Sequence, residues 1–286
     1  MKILELFSGT ECLSNAFRAR GHQCFTVDWD TRFPSSLHID IMQLTAGRIL
    51  ADLTCRSTSV ATRHSHQARL VPLHSLLHRF RRPDIIWAGC DCTTFSVAAI
   101  GFHRRRDPAT GTLAPKTEQA ASEREQSEAR FQNAECEQAR PQVKAARADE
   151  VNRHTLGIIR TLRPRFFFIE NPMGGLRKMD YMQGIPRHLI TYCQYGFTYR
   201  KATDIWTNHP QPEFLPPCRN GDPCHQPAPR GTRQGLQGVQ DRALRSAYPP
   251  KLCEHIVSIC ERYFDREPLP VRWHIDAKPP VQLELF

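Results

Sequence analysis

No stretch of the 286 residues approaches the roughly 18 apolar residues that a membrane span needs. The opening Met-Lys-Ile-Leu-Glu-Leu-Phe also lacks the apolar run of a signal peptide. Both absences lead to the expectation of a soluble, cytoplasmic protein. Acidic residues are in deficit, with 29 Asp plus Glu against 39 Lys plus Arg and a formal net charge of +10. That balance favours a polyanionic partner such as nucleic acid without choosing among polymers. No internal repeat is present. The eleven cysteines are scattered through a medium-sized chain with no secretion signal, which argues against a disulfide framework. They read as reduced thiols: some buried small hydrophobes, one available for catalysis, a few available for a metal. With 40% hydrophobic residues, the chain can bury one main domain with a small appendage.

Lys2 to Leu6 has the pattern of a short buried strand, followed by the turn Phe7-Ser8-Gly9-Thr10 and a helix carrying Leu13, Ala16 and Phe17 on one face. A second strand, Cys24 to Val27, ends at Asp28. Strand, turn, helix, strand, acid is the order of a nucleotide-binding half in a doubly wound α/β sheet. Two further apolar runs end in polar clusters: Asp84 to Ala88 leads into Gly89-Cys90-Asp91-Cys92-Thr93-Thr94-Phe95-Ser96, and Arg165 to Ile169 leads into Glu170-Asn171-Pro172. Residues 104–150 are rich in Gln, Glu, Ala and Arg, interrupted by Pro141, and are expected to form an exposed helical insertion. Residues 208–245 are Pro-, Gly- and Arg-rich, suited to loops and a small subdomain. Apolar periodicity returns in 246–265, and 266–286 form a Pro-containing tail.

The order of these clusters resembles the cytosine-5 DNA methyltransferase family over nearly the whole of 1–207 outside the insertion, and again in 246–265. The resemblance implies a mostly parallel, doubly wound sheet of the S-adenosylmethionine-dependent, Rossmann-like methyltransferase type, with a small irregular recognition region at 208–245. Leu4-Glu5-Leu6-Phe7-Ser8-Gly9-Thr10 is similar to the family's first motif. It implies that Phe7, Ser8, Gly9 and Thr10 hold S-adenosylmethionine. Asp28 stands where the family's acid binds the ribose hydroxyls, Trp29 where a ring lies against adenine, and Asp40 where an acid contacts the adenine amino group. In Gly89 to Ser96 the family's Gly-x-Pro-Cys-Gln-x-Phe-Ser is matched at Gly, Cys, Phe and Ser, so register makes Cys92, not Cys90, the implied nucleophile. A thiolate is required because cytosine becomes nucleophilic at carbon 5 only after addition at carbon 6. Glu170-Asn171-Pro172 resembles Glu-Asn-Val, whose carboxyl group bonds the cytosine ring. A base inside a duplex is out of reach, so the cytosine is expected to be flipped out of the stack.

The departures are specific. Asp91 and Thr93 replace the Pro and Gln around the nucleophile, and Glu11 and Cys12 replace two glycines after the first motif. The segment Tyr195 to Thr203 sits where the family has Gln-x-Arg-x-Arg but keeps neither arginine in register, leaving Arg200 or Lys201 to supply the cation at the cytosine carbonyl. Tyr248-Pro249-Pro250-Lys251-Leu252 resembles the last motif, without its preceding Gly-Asn. In the short recognition region, Cys218, Cys224 and His225 offer zinc ligands, with Cys253 or His255 to complete a set. The spacing is not a standard one, and an Asn-Gly-Asp-Pro turn also accounts for the middle of the segment.

The last residues, Val281-Gln282-Leu283-Glu284-Leu285-Phe286, resemble the Gln-Leu-x-Leu-Phe peptide that docks on the bacterial DNA sliding clamp. There Gln282 would hydrogen-bond while Leu283, Leu285 and Phe286 fill an apolar groove. Three alternatives to DNA cytosine methylation stay open: a same-fold enzyme acting on RNA or single-stranded DNA, an inactive DNA-binding relative, and transfer of a modified alkyl group.

Overall fold

The computed structural model describes residues 1–44, 59–60, 71–72, 82–90, 92–96, 103–106, 113–115, 141–227 and 241–266. Seven strands form one sheet: β1 (Lys2–Leu6), β2 (Gln23–Asp28), β3 (Leu37–His38), β4 (Ile85–Gly89), β5 (Phe166–Pro172), β6 (Arg187–Thr191) and β7 (Ala202–Thr207). Their order across the sheet is β6-β7-β5-β4-β1-β2-β3. The pairs β3-β2, β2-β1, β1-β4 and β4-β5 are parallel, whereas β7 runs antiparallel to both β5 and β6. The chain starts at the centre of the sheet, moves outward through β2 and β3, then returns to the other side of β1. That reversal creates a switch point between β1 and β4, where open α/β sheets place their ligands.

Apart from Glu5 and the strand-ending Glu170 and Asn171, the central strands are apolar on both faces, as a sheet covered on two sides requires. Leu4, Leu6, Ile86, Ala88, Phe167 and Ile169 point into one core, which also takes Leu156 and Ile159. The alternate residues Ile3, Ile85, Trp87, Phe166 and Phe168 point into the other, with Phe17, Ile256 and Ile259. The first layer is α2 (Pro141–Leu162). The second is α1 (Cys12–Ala19) beside α4 (Pro250–Phe264), with the short α3 (Arg242–Ser246) leading into α4. Burial in α4 recurs at Leu252, Cys253, Ile256, Val257, Ile259, Cys260 and Tyr263, the three-and-four spacing of a single face.

This is the Rossmann-like architecture of S-adenosylmethionine-dependent methyltransferases expected from the motifs. The helical insertion differs from expectation at both ends. Residues 141–150 are not an exposed appendage but the first half of α2, with Ala145 and Ala148 buried. Pro141 is the first residue of that helix, a position where a proline lacks only an N–H that has no intrahelical partner. At the other end Arg104 is buried and paired with Asp149 of α2. Among the described residues no helix is long and apolar enough to cross a membrane. The tail 267–286, and with it Gln282, Leu283, Leu285 and Phe286, lies outside the described residues, as does Asp91.

Candidate active site

The turn after β1 brings the first-motif residues to the end of β2. Phe7 and Gly9 both adopt left-handed backbone conformations, with φ of 59° and 48°. The turn is held by Ser8 N–H donating to Val27 O at 3.2 Å and Gly9 N–H donating to the Asp28 Oδ2 at 2.8 Å. Asp28 Oδ1 accepts from Asp30 N–H at 2.8 Å. A carboxylate has about four acceptor positions. Two of them are spent on fixing this group to the backbone, and both oxygens retain capacity for a vicinal diol. Ser8 Oγ is buried without a hydrogen-bond partner among the described residues. Such an orphaned hydroxyl suits a polar ligand, so the residues present fit S-adenosylmethionine. Trp29, next along from Asp28, is 68% exposed, leaving its ring open to stack. Asp40 is already engaged: it caps the turn Ile41–Gln43 through Met42 N–H at 2.9 Å and pairs with Arg147 at 2.8 Å.

Glu11, where the family carries glycine, explains why glycine is usual there. Its φ is 55°, a conformation that costs a side-chain-bearing residue about 1–2 kcal/mol. The side chain is buried and holds two partners: Thr26 Oγ1 donates to one oxygen and Arg18 Nη1 to the other at 2.8 Å.

The second half of the site forms where β4 and β5 end side by side. Gly89 stands opposite Glu170 in the parallel register, so the chain carrying Cys92 leaves the sheet one strand away from that carboxyl group. Asn171 Nδ2 donates to Cys90 O at 3.1 Å and ties the departing chain to β5. Cys92 then opens a tight turn, its carbonyl accepting Phe95 N–H at 3.1 Å and Ser96 N–H at 2.9 Å. Cys90 is buried while Cys92 is half-buried.

Two supports for this turn were not read from the sequence. Gly175 N–H donates to Phe95 O at 2.7 Å, and a Cβ built on Gly174 would lie 2.1 Å from that same oxygen. On the opposite side the Arg104 guanidinium lies 4.1 Å above the Phe95 ring, donates to Thr94 Oγ1 at 3.1 Å, and grips Asp149 with two nitrogens at 2.9 and 3.0 Å.

Glu170 is buried, and burial pushes its carboxyl group above the usual range. Tyr192 donates its hydroxyl to Oε1 at 2.8 Å, and the Lys201 ammonium stands 3.9 Å from the same oxygen and 4.6 Å from the Tyr192 ring centre. Of the two cation candidates, only Lys201 reaches this carboxyl group. Arg200 turns away, donating through Nε and Nη2 to Cys218 O at 3.3 and 3.2 Å. Tyr192 was not foreseen, because β6, which delivers it, has no alternation to mark it as a strand. Nor was Tyr248 given a role. Its ring meets Trp87 edge-on at 5.2 Å, and a Cβ built on Gly89 would lie 2.1 Å from its hydroxyl.

The zinc candidates also regroup. Cys253 is buried in the α1–α4 core, and His255 Nε2 faces Pro212 O at 2.8 Å. Neither joins the others, because the inward face of α4 points at the sheet. Cys193 takes that place beside Cys218, Cys224 and His225.

The fold and the arrangement of this site are those of a methyltransferase. No family model matches the chain. It is 25% identical over 276 residues, covering 91% of this chain and all of the other, to the "Probable DNA (cytosine-5)-methyltransferase" of Frog virus 3 (isolate Goorha). The description of that relative names the class that the motifs resemble. Among solved structures the chain is similar to a putative DNA modification methyltransferase encoded within an E. coli prophage (14% identity, TM-score 0.39, 72% of this chain and 46% of that one). It is also similar to the S. pombe Dnmt2 methyltransferase (12% identity, TM-score 0.34, 72% and 48%). The chain spans about half the length of these two structures.

Proposed function

We propose that the chain is a DNA (cytosine-5)-methyltransferase that moves the methyl group of S-adenosylmethionine to carbon 5 of a flipped-out cytosine through a covalent adduct on Cys92. The observation that carries this reading is the pairing of Gly89 with Glu170. It sets the thiol-bearing turn and a buried carboxyl group side by side at the strand ends, next to a turn built to hold a ribose.

The Cys92 thiolate adds to carbon 6 of the base, forming the S–C6 bond and moving the ring's electron pair toward carbon 5. Burial shifts Glu170 toward its neutral form, and in that form it donates a hydrogen bond to the ring nitrogen and offsets the charge that addition places there. Tyr192 holds that carboxyl group in one orientation. Lys201, whose ammonium stands 3.9 Å from Glu170 Oε1, is the cation assigned to the cytosine carbonyl oxygen as that oxygen gains electron density. Phe7 to Thr10 and Asp28 would hold S-adenosylmethionine, which would supply the electrophilic methyl group that carbon 5 takes up and would leave as S-adenosylhomocysteine. Loss of the carbon 5 proton to water then returns its bonding pair to the ring, expels Cys92 as the thiolate and restores the aromatic ring.

The test uses duplex DNA containing 5-fluorocytosine, because fluorine at carbon 5 cannot leave as a proton does. Wild type and Cys90→Ala are expected to form a denaturation-resistant complex, and Cys92→Ala is expected to form none. Methylation by wild type without trapping would refute the covalent route, and equal loss in both variants would refute the choice of Cys92. Single-stranded DNA and RNA run in parallel distinguish duplex DNA from the other polymers.

A further inference from the structure

Away from the strand-end site, Cys193, Cys218, Cys224 and His225 bring one donor atom each into a cluster spanning no more than 4.8 Å. Cys193 lies in the turn Tyr192–Tyr195 that closes β6, and the other three come from the irregular segment after β7. Cys193 Sγ is 3.2 Å from Cys218 Sγ and 3.7 Å from Cys224 Sγ, and His225 Nδ1 is 3.7 Å from Cys218 Sγ and 3.4 Å from Cys224 Sγ. A tetrahedron with Zn–S of about 2.3 Å and Zn–N of about 2.0–2.1 Å has S···S edges of about 3.8 Å and S···N edges of about 3.5 Å. The edges at 3.7, 3.7 and 3.4 Å match that shell to about 0.2 Å, and the Cys193–Cys218 edge at 3.2 Å is shorter than it requires. No pair is at the roughly 2.05 Å of a disulfide.

The surrounding backbone is organised to hold these four groups together. Arg219 N–H donates to Asp222 Oδ2 at 2.7 Å and Gly221 takes a φ of 94°, a turn that returns Cys224 to the side of Cys218. Cys218 N–H donates to Thr191 Oγ1 at 3.0 Å, the Arg200 guanidinium grips Cys218 O, and Gln226 N–H donates to Thr198 O at 2.8 Å. Gln194 Nε2 points an N–H at Cys224 Sγ from 3.8 Å, the kind of donor that steadies a metal-bound thiolate.

We propose that Cys193, Cys218, Cys224 and His225 bind one Zn2+ in a closed tetrahedral site that fastens the 208–227 segment to the edge of the sheet. Three thiolates and an imidazole are a soft donor set that selects zinc over magnesium or calcium. Four protein ligands leave no open position, so the metal is structural and not catalytic. Its place gives it leverage, because Cys193 directly follows Tyr192, whose hydroxyl holds Glu170. This assignment does not depend on what the enzyme methylates.

The experiment is elemental analysis of the full chain purified under reducing conditions. The expected result is about one zinc per chain in wild type, falling at least tenfold in Cys224→Ser and in His225→Ala, and unchanged in Cys253→Ser. Cobalt added to the chelator-stripped wild-type protein should produce the visible bands of tetrahedral cobalt with a thiolate charge-transfer band, a readout that needs no variant to fold. Limited proteolysis of the stripped protein should cut within 208–227, with zinc restoring resistance. Wild type without zinc and without the cobalt–thiolate bands would overturn the proposal, as would a Cys193–Cys218 disulfide in the freshly reduced protein. Full zinc retention in both ligand variants would overturn it as well.

Discussion

Gly89→Ala is expected to be repaired by a change in a residue that belongs to another element far along the chain. A Cβ at position 89 would stand 2.1 Å from Tyr248 Oη, against 3.5 Å from Tyr248 Cζ and 3.7 Å from Phe7 O. Ordinary contact begins near 3.4 Å, so more than an ångström of movement is needed. Neither partner can give it easily. Gly89 is fixed by the ladder to β5. Tyr248 is buried, packed edge-on to Trp87 at 74°, and followed by the two prolines that lead into α4. Overpacking of this kind costs about 1–3 kcal/mol. Tyr248→Phe removes the offending oxygen and leaves the ring at ordinary contact distance. Urea unfolding of wild type, both single variants and the double variant should show a favourable coupling of about 1–2 kcal/mol. Additivity within about 0.5 kcal/mol would refute the contact. Gly174→Ala is the control: its Cβ meets Phe95 O at 2.1 Å, a backbone atom that no side-chain substitution removes.

Three further outcomes are expected. Burial, opposed by hydrogen bonds from Ser14, raises the Glu5 carboxyl group from 4.5 to about 7. A raised acid favours its neutral form in the folded state, so this contribution is complete below pH 4.5 and is lost as pH rises through about 7, by roughly 3 kcal/mol in all. Glu5→Gln should flatten that dependence in urea unfolding at about pH 5 and about pH 8, and an unaltered slope would exclude Glu5 as its source. Asp28→Ala should weaken S-adenosylhomocysteine binding by about 1.5–3 kcal/mol in calorimetry, leaving DNA affinity intact. An unchanged affinity would move the cofactor elsewhere. Lys201→Ala should lower single-turnover methyl transfer about 10²- to 10³-fold and Arg200→Ala far less, whereas the reverse order would return the cation role to Arg200.

The parts of the molecule legible in the sequence are those whose signal is local. β1, the turn, α1 and Asp28 follow one another within 28 residues, and the β4 and β5 runs announce themselves by length and by the polar clusters that end them. What escaped is made by distance or hidden by composition. Arg104 sits in a Gln- and Arg-rich stretch that reads as solvated surface. Its burial depends on Asp149 and on the Phe95 ring, neither of which its own neighbourhood reveals. Cys193 is isolated in the sequence from Cys218, Cys224 and His225, and only the antiparallel return of β7 beside β6 brings them together. Pro141 was open to a better reading, since a proline ahead of a long amphipathic stretch is a helix opener as often as a break.

The departures from the family pattern are compensated within the same site, which is why a divergent chain can retain the architecture. Glu11 accepts a strained backbone costing about 1–2 kcal/mol, yet each of its hydrogen bonds, being to a charged group, contributes about 1.5–3 kcal/mol. It joins β2, through Thr26, to α1, through Arg18. A glycine there would relieve the strain and leave the buried Thr26 hydroxyl without that bond. Arg104 does the corresponding service for the turn that Cys92 opens. With Thr93 in place of the motif's Gln, the turn is anchored at Thr94 and Phe95 by a guanidinium from the next segment. Lys201 likewise carries one positive charge toward Glu170 where the family pattern has arginine, while Arg200 is released to hold the Cys218 carbonyl. At Glu11 and at Thr93 a position that lost its usual residue is served by a partner from another element, so these motif positions and their new supports are expected to change together.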